Sequence, residues 1–250
     1  MKLQQTAQPS YPDHRIELED PVSQPPTDAT TTRTALVVVA HPRRDSLTAH
    51  IAQLATSRLT AAGYRIDLLD LHAENFDPRM TAADLPEWGN RDKPYSPETE
   101  HHMRRILAAD VIVTVFPVYW MQVPAILKGW IDRVWNYGFA YGRSKPRLAG
   151  KRILWLGLAG AADDDAITGL MQEALSTQLN DGLAYYCGFT QSSVGLLPGA
   201  EEKRQRLDDA GNFLLDEALT GAVRDAHYAG LENRAVGFVD EFLAGDRVSA

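Results

Sequence analysis

The sequence predicts an α/β fold in which five parallel strands form one doubly wound sheet with helices on both faces. Short apolar segments rich in β-branched residues alternate along the chain with segments whose apolar residues recur at helical spacing. The strand segments are continuous apolar runs, which are typical of strands covered on both faces. Because most of the connections are short, a parallel sheet with crossover helices is the simplest arrangement.

The predicted elements follow one another in a regular order. The first strand covers residues 35–40, and Asp45 or Ser46 is expected to cap the helix that Gly63 ends. A second strand (64–71), a long connection (73–97) and a helix (96–109) come next. Later elements are a strand at 111–116, a helix that opens at Pro124, a strand at 151–157, a helix at 166–179 and a strand at 191–196.

The flanking segments are expected to differ from this central domain, residues 34–200. Residues 1–33 contain five prolines and a threonine run, and this composition predicts a disordered N-terminal arm. The alternative is an arm that wraps a partner subunit. Residues 201–250 are predicted to be a C-terminal helical extension of two helices broken near residues 228–230.

Composition excludes several classes of protein. The chain has 250 residues, a net charge of -8 and an isoelectric point of about 5.4, so a uniformly basic nucleic-acid binder is not expected. The single cysteine, Cys187, allows neither a disulfide framework nor a cysteine-built metal site, and we expect no metal. No apolar run approaches the roughly 18 residues of a membrane span. The first residues contain no secretory signal. We therefore expect a cytoplasmic protein.

Three predicted loops meet at the carboxyl edge of the sheet, where open α/β sheets bind ligands. The first loop contains His41, Asp45, Ser46, Leu47 and Thr48. Its hydroxyls and the free amides of a helix N-terminus predict a phosphate site. The alternative is that Ser46 only caps its helix.

The second and third loops suit a flat ring. Tyr119 and Trp120 follow an apolar strand and could wall in a conjugated ring, or Trp120 could pack under the next helix. The third loop, residues 157–160, is rich in small residues that would let backbone approach a ring edge, although its glycines could equally permit only a turn. The aspartates that follow it (Asp163, Asp164 and Asp165) predict a negative rim, or they cap the next helix.

Several segments resemble the NAD(P)H:quinone oxidoreductases of flavodoxin-like fold. This group includes mammalian quinone reductases and bacterial ancillary subunits of potassium-efflux systems. The segments are VAH at 39–41, DSLT at 45–48, NFDP at 75–78, FPVYWMQVPAILKGWIDRV at 116–134, FAY at 139–141 and CGF at 187–189. The resemblance spans roughly residues 35–197, and residues 116–134 are its most specific part.

The resemblance implies a flavin enzyme that works as a homodimer. By analogy, the first loop holds the flavin phosphates and the adenosine side. Pro117, Val118, Tyr119, Trp120 and Met121 would border the isoalloxazine, and Ala159 and Gly160 would lie beneath its pyrimidine edge. Tyr141 matches a family tyrosine that covers the neighbouring protomer's ring, so Trp120, Met121 and Tyr141 are the expected substrate pocket.

The expected activity is two-electron transfer from NAD(P)H to a quinone or a related acceptor by a ping-pong mechanism. The flavin, FAD rather than FMN, carries the chemistry, and no catalytic side chain is assigned. The fourth-strand loop lacks the tyrosine and histidine that the family often has there, so proton and charge management at flavin N1 and O2 is unassigned. Backbone amides near Trp120, Met121, Ala159 and Gly160 would stabilise negative charge that develops at N1 of the reduced ring. The alternatives are a regulatory flavoprotein subunit that docks on a membrane transporter, and a one-electron carrier.

Overall fold

A computed structural model describes residues 33–163, 166–201, 205–208, 210–215 and 219–245. The predicted N-terminal arm therefore lies outside the described residues, apart from Arg33. The strands are β1 (Thr34–Val39), β2 (Arg65–Asp70), β3 (Val111–Pro117), β4 (Arg152–Leu158), β5 (Gln191–Leu197), β6 (Gln205–Leu207) and β7 (Phe213–Leu215). The α-helices are α1 (Leu47–Ala61), α2 (Pro97–Ala108), α3 (Ala125–Val134), α4 (Ala166–Ser176) and α5 (Gly221–Ala244).

Five parallel strands form the main sheet in the order β2-β1-β3-β4-β5, which confirms the predicted α/β class. In the central register, Val37 of β1 pairs with Leu68 of β2 on one side and with Val113 of β3 on the other. Every residue of β1 is buried, whereas β2 at the sheet edge is largely accessible. The continuous apolar runs thus mark the strands that lie inside the sheet.

Helices cover both faces of the sheet and form two apolar clusters. On one face, α2, α3 and α4 pack around Trp130, Trp155 and Phe116. On the other face, α1 and α5 pack against the sheet through Leu59, Val239 and other buried aliphatic residues. Among the described helices, none is long and apolar enough to cross a membrane.

Two expectations about the later elements are wrong. The prediction of two helices broken near residues 228–230 fails because α5 runs without interruption from Gly221 to Ala244, with Gly230 inside it. Residues 205–215 contain the antiparallel pair β6 and β7 instead of helix. In addition, the helical stretch of α4 does not stop near residue 179 but continues as a π-helix over Thr177–Ala184. Tertiary packing of Leu231, Ala235 and Phe242 overrides the weak helix propensity of Gly230.

The long connection between β2 and α2 is held by a buried ion pair. Arg133 of α3 and Asp84, in a short 3₁₀ turn (Ala82–Asp84), are almost completely buried. The Arg133 Nη2 and Nε atoms lie 2.8 and 3.0 Å from Asp84 Oδ2, and Arg133 also pairs with Glu98 at 2.8 Å. Because Asp84 accepts further hydrogen bonds from Thr81 and Ser96, the connection is fixed on α3.

Candidate active site

The sheet order reverses between β1 and β3, and the loops that follow these strands open at the same edge. The chain leaves β1 toward α1 and β2 on one side, and it leaves β3 toward α3 and β4 on the other. A crevice at such a switch point is where this class of sheet binds its ligand. All three loops that the sequence singled out lie along this edge.

The first loop forms a capped helix N-terminus. Ser46 Oγ accepts a hydrogen bond from the Ala49 N–H at 3.2 Å, which confirms that Ser46 caps α1. The N–H groups of Leu47 and Thr48 belong to the first turn of α1, where intrahelical acceptors are absent. Asp45 forms a two-point ion pair with Arg43, and the hydrogen bond and charge of Arg43 lower the pKa of the Asp45 carboxyl. The phosphate role of this loop stays a prediction.

A cavity of about 590 Å³ adjoins the first loop, and sequence reasoning missed one of its walls. His41, Ser46 and Leu47 line one side of the cavity. The opposite side is formed by Ala200, Tyr228 and Glu232. His50 of α1 and Glu232 of α5 meet at 2.8 Å between their Nε2 and Oε1 atoms. No local signal marks these α5 residues, because they reach the loop only through the packing of α5 on α1.

The second loop is a tight turn with unusual backbone geometry. Tyr119 and Gln122 exchange two backbone hydrogen bonds of 3.0 Å, and Trp120 and Met121 between them have φ values of 51° and 60°. Two successive positive φ angles are the signature of a type I′ turn, which glycine and asparagine normally occupy. Bulky residues in this conformation store strain of about 1–3 kcal/mol each, a feature that clusters at functional sites.

The side chains of this turn face solvent. Trp120 is 97% exposed and Tyr119 is 51% exposed, so the alternative in which Trp120 packs under α3 is wrong. The backbone N–H groups of Trp120 and Met121 donate to no acceptor among the described residues. Pro117 and Val118 are half-buried at the end of β3. Val118 lies so close to β4 that a Cβ on Gly157 would be 2.9 Å from its Cγ2, which explains that glycine.

The third loop differs from expectation in its hydrogen bonding. The Ala159 N–H donates to the Leu197 carbonyl at 2.9 Å, so this amide is not available to a ligand. Gly160 lies against Glu201, whose carboxyl carbon would be 2.6 Å from a Cβ at residue 160. Gly160 therefore permits a close approach and not a turn that requires positive φ.

The negative rim expected beside this loop is reduced. Asp163 forms an ion pair with Arg234 of α5, with 2.6 Å between Oδ2 and Nη2. Asp164 and Asp165 lie outside the described residues. The pairing neutralises Asp163, and the expected negative rim is not tested at the other two positions.

Tyr141 belongs to an aromatic surface built from three parts of the chain. Its ring centroid lies 5.8 Å from that of Tyr137 and 6.0 Å from that of Tyr186, and Trp88 packs on Tyr137 at 5.1 Å. Trp88 and Tyr186 are 72% and 66% exposed. Residues 135–139, which precede Tyr141, are buried in the protein's own core except for the half-buried Tyr137.

Comparison with known proteins identifies the family. Residues 33–214 match a family described by its flavodoxin-like fold. The chain belongs to this family. An Escherichia coli relative described as an uncharacterized NAD(P)H oxidoreductase is 40% identical over 161 residues, which are 64% of this chain and 81% of that protein. The ribosyldihydronicotinamide dehydrogenase [quinone] of Mus musculus is 31% identical over 197 residues, covering 68% and 85% of the two chains.

A solved structure supports the same fold. The NAD(P)H:quinone oxidoreductase from Methanothermobacter marburgensis superimposes with a TM-score of 0.63 at 22% sequence identity. The match covers 83% of this chain and 97% of that one. This flavodoxin-like protein and the Methanothermobacter marburgensis protein therefore share a fold although only 22% of their sequence is identical.

The crevice of this flavodoxin-like protein fits a flavin in three respects. The helix N-terminus of α1 offers amide donors to a phosphate. The strained turn offers two amides with no described acceptor and an exposed indole, Trp120. The cavity beside Tyr228 adds space beyond the helix N-terminus. Among the described residues, no group of three or more histidine, cysteine, aspartate or glutamate side chains is arranged to hold a metal.

Proposed function

We propose that this chain is a flavin-dependent NAD(P)H oxidoreductase that passes two electrons, as a hydride, to a quinone or a related acceptor. The observation that carries this proposal is the strained turn at Trp120 and Met121, which presents an exposed indole and two amides without an acceptor in the described parts of the chain, at the switch point of the sheet. The Escherichia coli relative, described as an NAD(P)H oxidoreductase, and the Mus musculus relative, a quinone-linked dehydrogenase, support the same class of activity.

Different residues of the crevice would contact different parts of the flavin. The first loop (His41, Asp45, Ser46, Leu47 and Thr48) would hold the phosphates. Pro117, Val118, Tyr119, Trp120 and Met121 would border the ring, with Ala159 and Gly160 at its pyrimidine edge. When bound, the flavin supplies hydride acceptance and donation. The amides of Trp120 and Met121, with no described acceptor, would stabilise negative charge on the ring, while the engaged amide of Ala159 would not.

FAD suits the site better than FMN. The cavity of about 590 Å³ continues from the α1 N-terminus to Tyr228 and Glu232 of α5, which gives room for an adenosine group beyond the first phosphate. FMN would leave this space unfilled. Mass identification of the flavin released from purified protein tests the choice directly.

The assembly and location follow from the same proposal. The protein would work as a cytoplasmic homodimer in which Tyr141 covers the neighbouring protomer's ring and, with Trp120 and Met121, forms the substrate pocket. Both substrates would use one crevice, so the oxidised nicotinamide must leave before the acceptor enters. This order is the ping-pong mechanism, and it gives parallel double-reciprocal lines.

Stopped-flow mixing of the flavin-loaded protein with NADH, NADPH or ribosyldihydronicotinamide tests the activity. We expect the flavin absorption band to bleach within seconds and to return when a simple quinone is added. A flavin that stays oxidised for minutes in the presence of bound nucleotide would contradict the enzyme. That result would favour the regulatory alternative, which the missing tyrosine–histidine pair of the fourth-strand loop makes worth testing.

A further inference from the structure

A second cavity, of about 400 Å³, lies beside α2 and shares no lining residue with the cavity at the first loop. Its walls come from the end of the long β2–α2 connection, from one side of α2 and from the segment after α3. Its volume falls within the range of small-molecule sites, roughly 300–1,000 Å³. None of the roles proposed above uses it.

Positive charge dominates this cavity, although the whole chain carries a net charge of -8. Four cationic side chains line it (Arg91, Lys93, Arg104 and Arg147) against two carboxylates (Asp92 and Glu100). Asp92 is already neutralised by an ion pair with Arg143, which lowers its pKa. Glu100 accepts a hydrogen bond from the Tyr95 N–H at 3.1 Å.

Two of the arginines keep their binding capacity. Among the described residues, neither the Arg91 nor the Arg147 guanidinium has a carboxylate within 4 Å or a hydrogen-bond acceptor for its side chain, and both act on Asp92 only through longer-range charge that helps to lower its pKa. Arg104 reaches Glu100 only at 3.9 Å, beyond hydrogen-bond distance. Lys93, by contrast, is engaged with backbone carbonyls, including that of Ala83 at 2.9 Å. The donors left for a ligand are therefore planar guanidinium groups, which suit carboxylate or phosphate oxygens.

The remaining lining is apolar and partly aromatic. It consists of Pro94, Tyr95, Met103, Leu107, Gly138 and Phe139. Met103 and Phe139 are buried, and they give the cavity a floor. We infer that this cavity binds a small organic anion, a carboxylate or phosphate ester on a flat apolar body, with Arg91 and Arg147 on the anionic group and the apolar floor beneath the ring.

The walls of the cavity are held in place without a ligand. Gly138 (φ 79°) lies so close to the Arg91 carbonyl that a Cβ there would be 2.0 Å from the oxygen. Arg143 donates to the Arg91 carbonyl at 2.8 Å, and the Tyr95 hydroxyl donates to the Tyr137 carbonyl at 2.7 Å. The backbone of these walls is therefore fixed before a ligand binds, and the ordering cost on binding is confined to side chains such as Arg91 and Arg147.

Calorimetric titration of the flavin-loaded full chain tests this inference, with 2-naphthoate as the probe in low-salt buffer. We expect saturable binding that the double substitution Arg91→Gln and Arg147→Gln weakens at least ~10-fold, because charge-assisted hydrogen bonds are lost. Lys145→Gln is the matched control. It removes one exposed positive charge two residues from Arg147 and should change the dissociation constant less than ~2-fold.

Two further probes separate charge from shape. The neutral analogue 2-naphthalenemethanol and inorganic phosphate should each bind at least ~10-fold more weakly than 2-naphthoate, because each lacks one half of the recognised chemistry. Equal affinity of the double variant and the unmodified protein would overturn the site, as would binding that shifts the flavin absorption band. If phosphate bound as tightly as 2-naphthoate, the inference that the ligand carries a flat apolar body would be wrong. These outcomes do not depend on turnover with NAD(P)H.

Discussion

At the scale of single residues, the turn at Trp120 and Met121 connects backbone strain to proposed function. Neither residue is glycine or asparagine, yet both have positive φ values, and the Trp120 side chain gains almost no burial in return. Such a conformation persists when the surrounding structure determines it, here the two hydrogen bonds between Tyr119 and Gln122. The exposed indole is therefore explained better by a ligand than by folding.

Substitution of Trp120 by alanine tests whether the indole serves ligand binding or folding. We expect Trp120→Ala to weaken flavin binding at least ~10-fold, since a stacking surface is lost. The free energy of unfolding of the flavin-free protein should change by no more than about 0.5 kcal/mol because the side chain is exposed. Leu68→Ala, at a 54% exposed side chain on the edge strand β2, is the control and should leave flavin affinity unchanged. Full flavin occupancy in Trp120→Ala would contradict the crevice assignment.

At the scale of elements, the Asp84–Arg133 pair fastens the long β2–α2 connection to α3. Burial alone would raise the pKa of the Asp84 carboxyl, but hydrogen bonds from Ser96, Arg133 and Thr81 outweigh it and hold the pKa below its usual value. The same pair anchors the β2–α2 connection, whose last residues line the cavity of about 400 Å³ beside α2. A buried pair of this kind contributes little net stability but is costly to break.

Asp84→Asn should lower the free energy of unfolding by about 1–3 kcal/mol, because Arg133 loses its buried carboxylate partner and keeps the more accessible Glu98. Urea denaturation monitored by tryptophan fluorescence measures the change. Asp77→Asn is the matched control, since the Asp77–Arg79 pair is at the surface and its loss should change the free energy of unfolding much less than Asp84→Asn does. If both variants lost the same free energy of unfolding, burial of the Asp84–Arg133 pair would not contribute to its effect on stability.

Helix α2 carries a buried histidine that predicts a pH dependence of stability. His102 is 3% exposed and packs edge-on against Phe76, and burial, helped by the nearby charge of Arg105, lowers the pKa of His102 to about 4. In the unfolded chain, histidine takes up its proton near pH 6.5. Between about pH 6.5 and 4 the unfolded state therefore binds more protons, and stability falls as pH falls.

Removal of the His102 imidazole should make the free energy of unfolding depend less on pH between about pH 6.5 and 4. We expect His102→Phe to reduce the slope of unfolding free energy against pH by up to about 1.4 kcal/mol per pH unit. His101→Phe, at the exposed neighbour on α2, serves as the control. Denaturant titrations at half-unit pH steps measure the slopes. An unchanged slope in His102→Phe would mean that other groups account for the acid sensitivity.

At the scale of the whole molecule, the proposed homodimer accounts for an otherwise unusual surface. Trp88 and Tyr186 are exposed beside the half-buried Tyr137 and Tyr141. Contiguous exposed aromatics on a monomer mark interaction sites, and a two-fold axis would bury the same patch on both protomers. The proposal places Tyr141 at a shared active site, so assembly and activity should be lost together.

Light scattering tests this coupling. The chain has a mass of 27.7 kDa, and the unmodified protein should therefore scatter as a particle of about twice that mass. Tyr186→Glu introduces charge at an exposed position and should yield folded monomer with little quinone reduction. Deletion of residues 1–33 is the control and should leave the dimer intact, because that segment offers little apolar surface. A monomer with full activity would contradict the shared site.

The sequence by itself determined the strand and helix content of the sheet domain and the loops that form the crevice. Strands β1, β3 and β4 are evident because burial on both faces demands an uninterrupted apolar run, and Ser46 and Ser96 mark helix starts because capping is local chemistry. Aromatic exposure at Trp120 was also correctly expected. Each of these features depends on residues close together in the chain.

Only the tertiary structure decided which distant residues meet. The α5 wall of the first-loop cavity depends on contacts such as His50 to Glu232, which are 182 residues apart. Tertiary contacts also set the charge of each site: Asp163 is neutralised by Arg234, whereas the Arg91 and Arg147 guanidinium groups beside α2 have no side-chain partner within the part of the chain that the structure describes. Periodicity and propensity act over a few residues, so they do not specify ion pairing or cavity walls, which arise when helices pack on the sheet.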